Sequence, residues 1–175
     1  MNILEEIGLY EEKNEYKLFV DMDGVLCDWE KAFVELGPEI TKGLEGQEYE
    51  DKYGRDELWK IISDQGRLEF WSEMPWMKDG KDLWNYVKKF NPTILTTPAH
   101  NDYSEKGKRI WVARELGSNV PVIMEKEKWK HADNKSILID DYDKKINDWK
   151  QKGKGIGILH TSAVKTIQEL KKLGF

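Results

Sequence analysis

Five short apolar runs, at residues 17–20, 93–96, 120–124, 136–139 and 155–159, constrain this 175-residue chain more than any other feature. They are nearly continuous and rich in Val, Ile and Leu, the pattern of strands covered on both faces. Helical patterns lie between the later runs. Residues 79–90 place Leu83, Trp84 and Val87 on one side. Residues 102–116 begin with capping-box spacing at Asp102 and Glu105 and stop at Gly117. Residues 143–152 carry Ile146 and Trp149, with Gly153 beyond, and 162–173 repeat Val164, Ile167 and Leu170 ahead of Gly174. Strands alternating with helices predict right-handed βαβ units and a mostly parallel sheet flanked by helices, an α/β fold.

The stretch 28–78 breaks that alternation. It is helical in pattern, carries Gly37-Pro38, Gly43 and Gly46, and offers no convincing strand. The expected organisation is an α/β core at 1–27 and 79–175 with a small helical unit, 28–78, inserted after the first strand. Residues 1–15 are acidic with scattered apolar positions and read as a short leading helix or an arm.

Other properties narrow the function. The net charge is −5, with no long run of Lys or Arg, so gripping a nucleic-acid polyanion is not the expected task. A small anionic substrate remains compatible, because one pocket can be positive on an acidic protein. The first residues lack the basic and apolar regions of a signal peptide, and no apolar run approaches membrane-spanning length. The single cysteine, Cys27, cannot form an internal disulfide, which fits a cytoplasmic setting. With no His partner close in sequence, it reads as a small buried filler.

In an open parallel sheet, ligands bind beyond the carboxyl ends of the strands. Those ends carry Asp21 and Asp23, then Thr96, Thr97 and Pro98, then the lysine-rich stretch 125–130, then Asp140 and Asp141. Two carboxylates about 4 Å apart repel by about 4 kcal/mol at an effective dielectric near 20, so something positive is expected among them. Carboxylate, carbonyl and water oxygens suit Mg²⁺. A carboxylate facing a phosphoryl group can attack phosphorus, and an acid two residues on can protonate the leaving oxygen and later activate water. Thr and Lys supply donors and charge for the remaining phosphate oxygens. Taken singly, each of these groups is an ordinary loop entry, solvated face or helix cap; their joint order along the chain is the informative signal.

In that order the residues resemble the haloacid dehalogenase superfamily of phosphotransferases. Asp21-Met22-Asp23-Gly24-Val25 is similar to its first motif, Thr96 to its second, a lysine to its third and Asp140-Asp141 to its fourth. More narrowly, Asp21-Met22-Asp23-Gly24-Val25-Leu26, Ile94-Leu95-Thr96-Thr97-Pro98 and Leu138-Ile139-Asp140-Asp141 resemble the 5′(3′)-deoxyribonucleotidase family. The resemblance implies a Rossmann-like core with a small cap, and a Mg²⁺-dependent phosphatase acting on nucleoside monophosphates through an aspartyl-phosphate. It implies Asp21 as nucleophile and metal ligand, and Asp23 as general acid/base and a ligand through its main-chain carbonyl. Asp140 and Asp141 are implied at the metal, with Asp141 as the direct ligand. Thr96, Thr97 and a lysine would hold phosphate; spacing favours Lys128, with Lys126 and Lys130 as alternatives. Phe70 and Trp71 match the aromatic stretch that lines the family's base pocket, and packing between cap and core is their other reading. The expected partner is a nucleotide or another small phosphomonoester, with no membrane and no nucleic acid, and with a homodimer left open. The rival substrates are another metabolite or a nucleic-acid 3′-phosphate, and the rival role is non-catalytic binding of a phosphate ligand.

Overall fold

The computed structural model describes residues 15–99 and 102–175, apart from the Asp102 side chain. The leading helix or arm expected over 1–15 therefore lies, but for Glu15, outside the described residues, as does the capping side chain at Asp102. Five strands, β1 (Lys17–Val20), β2 (Thr93–Thr96), β3 (Val122–Met124), β4 (Ser136–Asp140) and β5 (Ile156–Leu159), form one sheet. Every pairing is parallel and the order is β3-β2-β1-β4-β5, which puts β1 at the centre.

The alternation of side chains across the pleat explains the apolar runs. Leu18, Val20, Ile94, Ile137 and Ile139 face the larger core, while Phe19, Leu95 and Leu138 face a second layer with Ile146 and Trp149. Both faces are buried, so neither can be polar. β3 starts two residues later than the apolar run suggests. Pro121 has no N–H for the ladder; it only accepts, through its carbonyl, from Ile94 N–H at 2.9 Å.

Between β1 and β2 run α1 (Trp29–Val34), α2 (Pro38–Thr41), α3 (Gly46–Tyr53), α4 (Arg55–Ile61) and α5 (Arg67–Ser72), with a π-helical turn at Ile62–Gly66. No strand lies among them. Then come α6 (Gly80–Val87), α7 (Asp102–Glu115), α8 (Asp143–Gln151) and α9 (Ala163–Lys172). Asp28 caps α1 by accepting from Lys31 N–H at 2.9 Å, and Ser162 caps α9. α7 lies close against α5: a Cβ at Gly107 would stand 2.3 Å from the Cβ of Trp71, so only glycine allows the approach. Cys27 is fully buried, and burial pushes its thiol well up, consistent with a packing role. Among the described residues no helix is long and apolar enough to cross a membrane.

Candidate active site

β1 carries Asp21 to the carboxyl end of the sheet, where its N–H donates to Ile139 O at 2.9 Å. The chain then turns tightly, with the N–H groups of Val25, Leu26 and Cys27 all directed at the Met22 carbonyl. Gly24 sits in this turn at φ +75°, and a Cβ there would stand 2.0 Å from Asp141 Oδ2. A side chain at position 24 would therefore strain the turn and also expel Asp141.

Asp21, Asp140 and Asp141 each offer an oxygen within 4.8 Å of the others. Lys128, only 2% exposed, reaches into this group from the turn Lys128–His131. Its ammonium donates to Asp140 Oδ2 at 2.6 Å and lies 2.7 Å from Asp21 Oδ1. The second contact is an ion pair, and Asp21 Oδ1 is buried with no other partner among the described residues. Asp140 Oδ1 accepts from Tyr142 N–H at 2.9 Å, which engages both oxygens of Asp140. Of the three lysines open to this place in the sequence, Lys128 alone enters the cluster. Lys130 pairs with Glu127 at the surface, and Lys126 offers only its carbonyl, to the Lys145 ammonium.

A second buried lysine completes the floor. Lys108 on α7 donates to Asp23 Oδ2 at 2.5 Å, Thr96 Oγ1 at 3.0 Å and Thr97 O at 2.9 Å. Sequence reasoning missed it. Its signal was a lysine on the same helix face as Ser104, Trp111 and Val112, all of which are buried. Thr96 itself is fully buried and serves Lys108 as acceptor, whereas Thr97 lines the cavity above.

That cavity, of about 600 Å³, has Asp21, Asp23, Thr97, Lys128, Asp140 and Asp141 at one end. Trp29, Leu58, Trp59 and Met77 form its apolar wall. Phe70 and Trp71, expected at the substrate, are instead buried one layer behind: Trp71 stacks on Trp59 at 6.2 Å and Phe70 meets Trp29 edge-on at 5.9 Å. Trp76 is also structural, donating from Nε1 to Glu115 at 2.8 Å.

The electrostatics are those of a site short of positive charge. Three carboxylates (Asp21, Asp140, Asp141) crowd together, and Lys128 is the cation in ion-pair contact with them among the described residues, so negative charge is in excess when they are ionised. Burial, and then the charges of Asp21 and Asp140, push Asp141 up to about 7 from the usual 3.8. Burial and Asp21 raise Asp140 as well, against the pull of Lys128. Burial alone would lower the Lys128 ammonium, but Asp21 and Asp140 outweigh it and hold it raised. An all-oxygen donor set whose members lie within 4.8 Å of one another, with negative charge in excess, fits a hard divalent cation.

A pH dependence follows. A carboxyl whose folded pKa is raised favours the fold when protonated. Its contribution is complete below about pH 4 and lost as pH rises through about 7. Metal-free protein is thus expected to melt at a lower temperature at pH 8 than at pH 5.5, and Mg²⁺ should raise the melting temperature more at pH 8. Thermal melts with and without Mg²⁺ at both pH values check this; an increment independent of pH contradicts the cluster.

No family model matches the sequence, and neither does any curated protein. Solved structures do match. A hydrolase from Streptococcus pneumoniae TIGR4 is 16% identical with a TM-score of 0.52, over 90% of this chain and 99% of its own. A protein named as a haloacid dehalogenase-like hydrolase from Burkholderia xenovorans LB400 is 9% identical with a TM-score of 0.55, over 87% of this chain and 85% of its own. A protein named as a β-phosphoglucomutase from Thermotoga maritima is 13% identical with a TM-score of 0.53, over 90% of this chain and 99% of its own. The chain has the fold of the haloacid dehalogenase-like hydrolases.

Proposed function

We propose that the chain is a Mg²⁺-dependent phosphatase that hydrolyses nucleoside monophosphates through an aspartyl-phosphate. The observation that carries the reading is the convergence of Asp21, Asp23, Thr97, Lys128 and Asp141 on one cavity, from separate strand ends. The Asp21 carboxylate attacks phosphorus as the ester P–O bond breaks, and Asp23 gives its proton to the leaving oxygen. Asp23 then takes a proton from water, which attacks phosphorus, frees Asp21 and releases inorganic phosphate. Lys128 and Thr97 hold the phosphate oxygens. Mg²⁺ held by Asp21, Asp141 and the Asp23 carbonyl would offset charge on the phosphoryl group.

Two half-buried tryptophans, Trp29 and Trp59, line the wall beyond the acidic end, with their rings 5.9 Å apart and edge-on. A planar base can stack there, and this supports a nucleotide over a compact ester. A sugar phosphate is the rival substrate, since one structure of the same fold carries the name β-phosphoglucomutase.

A phosphate-release screen with Mg²⁺ across nucleoside monophosphates and sugar phosphates separates the two. Base stacking on an aromatic ring is worth about 1–3 kcal/mol. Trp59→Ala is therefore expected to raise KM for a nucleoside monophosphate about tenfold, and to leave KM for glycerol phosphate within about threefold. Equal shifts for both esters, or release from sugar phosphates alone, would remove the nucleotide from the proposal.

A further inference from the structure

Asp23 is held in an unusual way. Its side chain is 31% exposed at the cavity, yet its partner Lys108 is only 1% exposed. An ammonium that deep is tolerated only when its hydrogens are all placed. Here three hydrogens meet three acceptors: Asp23 Oδ2, Thr96 Oγ1 and Thr97 O. The ammonium also lies over the Trp71 ring, 5.4 Å from its centroid. Gly107 permits this closeness, since any side chain there would drive α7 off Trp71. Lys108 is thus the immobile end of the pair, and the carboxylate is the end that faces the reaction.

We propose that Lys108 is a positioning residue for Asp23. It locks the carboxylate against the Thr96–Thr97 turn through Oδ2. Asp23 Oδ1 is buried and has no hydrogen-bond partner, so the bond from Lys108 to Oδ2 is what fixes the carboxylate. Asp23 stands three residues past the end of β1 and next to Gly24, and Lys108 is its one charged partner among the described residues. A misplacement of about 1 Å can cost about 100-fold in rate. The lysine also ties the β1 turn to the β2 turn, so the proton-moving group keeps a fixed place relative to the phosphate-holding backbone. The inference rests on the phosphatase reading above.

The test uses the full chain with Mg²⁺, and compares Lys108→Met with wild type on 4-nitrophenyl phosphate and on an alkyl phosphate. The nitrophenolate leaves with little help from an acid, whereas an alkoxide needs the proton. For the alkyl ester, kcat/KM is expected to fall about 100-fold, the lower end of what general acid–base catalysis supplies. For the nitrophenyl ester it should fall less than about tenfold. A rapid burst of one equivalent of nitrophenolate should then precede slow turnover, because water attack on the aspartyl-phosphate has lost its oriented base. Lys108→Gln, which keeps a donor near Asp23, should fall between Met and wild type.

An equal loss for both esters, or no loss, overturns the positioning role. So does failure of both variants to give the near-ultraviolet dichroism of the wild type, because Lys108 is then a residue of the fold. Failure of the phosphatase reading shows itself earlier, as wild type that hydrolyses neither ester.

Discussion

Asp21→Asn is expected to lower phosphate release by about 10⁴-fold, the scale on which enzymes suffer when a reacting side chain is removed. That corresponds to about 5–6 kcal/mol of barrier. An amide of nearly the same shape keeps the packing at the end of β1 and the N–H bond to Ile139 O. It has no anionic oxygen to attack phosphorus. The fold should tolerate the change well. Removing the Asp21 charge lifts part of the repulsion that raises Asp140 and Asp141, so metal-free protein should melt no lower than wild type at pH 8. Release measured over a range of phosphate esters, with a melt on the same sample, gives both numbers. Activity within tenfold of wild type would remove Asp21 from the nucleophile's place.

The position of Asp21 at the end of the central strand was legible because the strand that bears it advertises itself. Leu18, Phe19 and Val20 must be apolar on both faces, so the first acid after them stands at a sheet's carboxyl edge. The same logic located Thr97 and the Asp140–Asp141 pair. Lys128 was harder, because a run of alternating Lys and Glu reads as a solvated face, and only the turn at Lys128–His131 directs one of the lysines inward.

Phe70 and Trp71 were placed at the wall by resemblance, and the structure gives them their other reading, packing. Phe70 and Trp71 lie beyond the π-helical turn at Ile62–Gly66. That turn breaks the 3.6-residue phase, so the face presented by α4 cannot be carried through to α5. Trp59, before the turn, lines the cavity, and Trp71, after it, packs behind. Lys108 escaped because its partners come from three chain segments, and only the close contact of α7 with α5 brings them together. A lysine on a buried helix stripe was the available warning.

Lys128→Met carries the second large expected effect, and it acts on stability as well as rate. The ammonium is the only cation within hydrogen-bond reach of either Asp21 or Asp140 among the described residues. Removing one member of a buried, hydrogen-bonded charge pair typically costs about 3–5 kcal/mol, because the group left behind is desolvated and unpaired. For a chain of this size that lowers the melting temperature by about 10 °C. The loss should shrink in two ways that a simple packing defect would not. Acidification from pH 8 to pH 5.5 protonates Asp140 and Asp141, whose folded pKa values are already raised, and so restores stability. Saturating Mg²⁺ should restore it too, because a divalent cation among the carboxylates supplies the missing charge. Turnover should nonetheless stay about 10²–10³-fold below wild type even with Mg²⁺, since the donor to the phosphate oxygens is gone. Melts at both pH values with and without Mg²⁺, beside phosphate release, resolve these effects. A Lys128→Met protein as stable as wild type at pH 8 without metal would mean that the acidic cluster does not depend on this lysine for its charge balance.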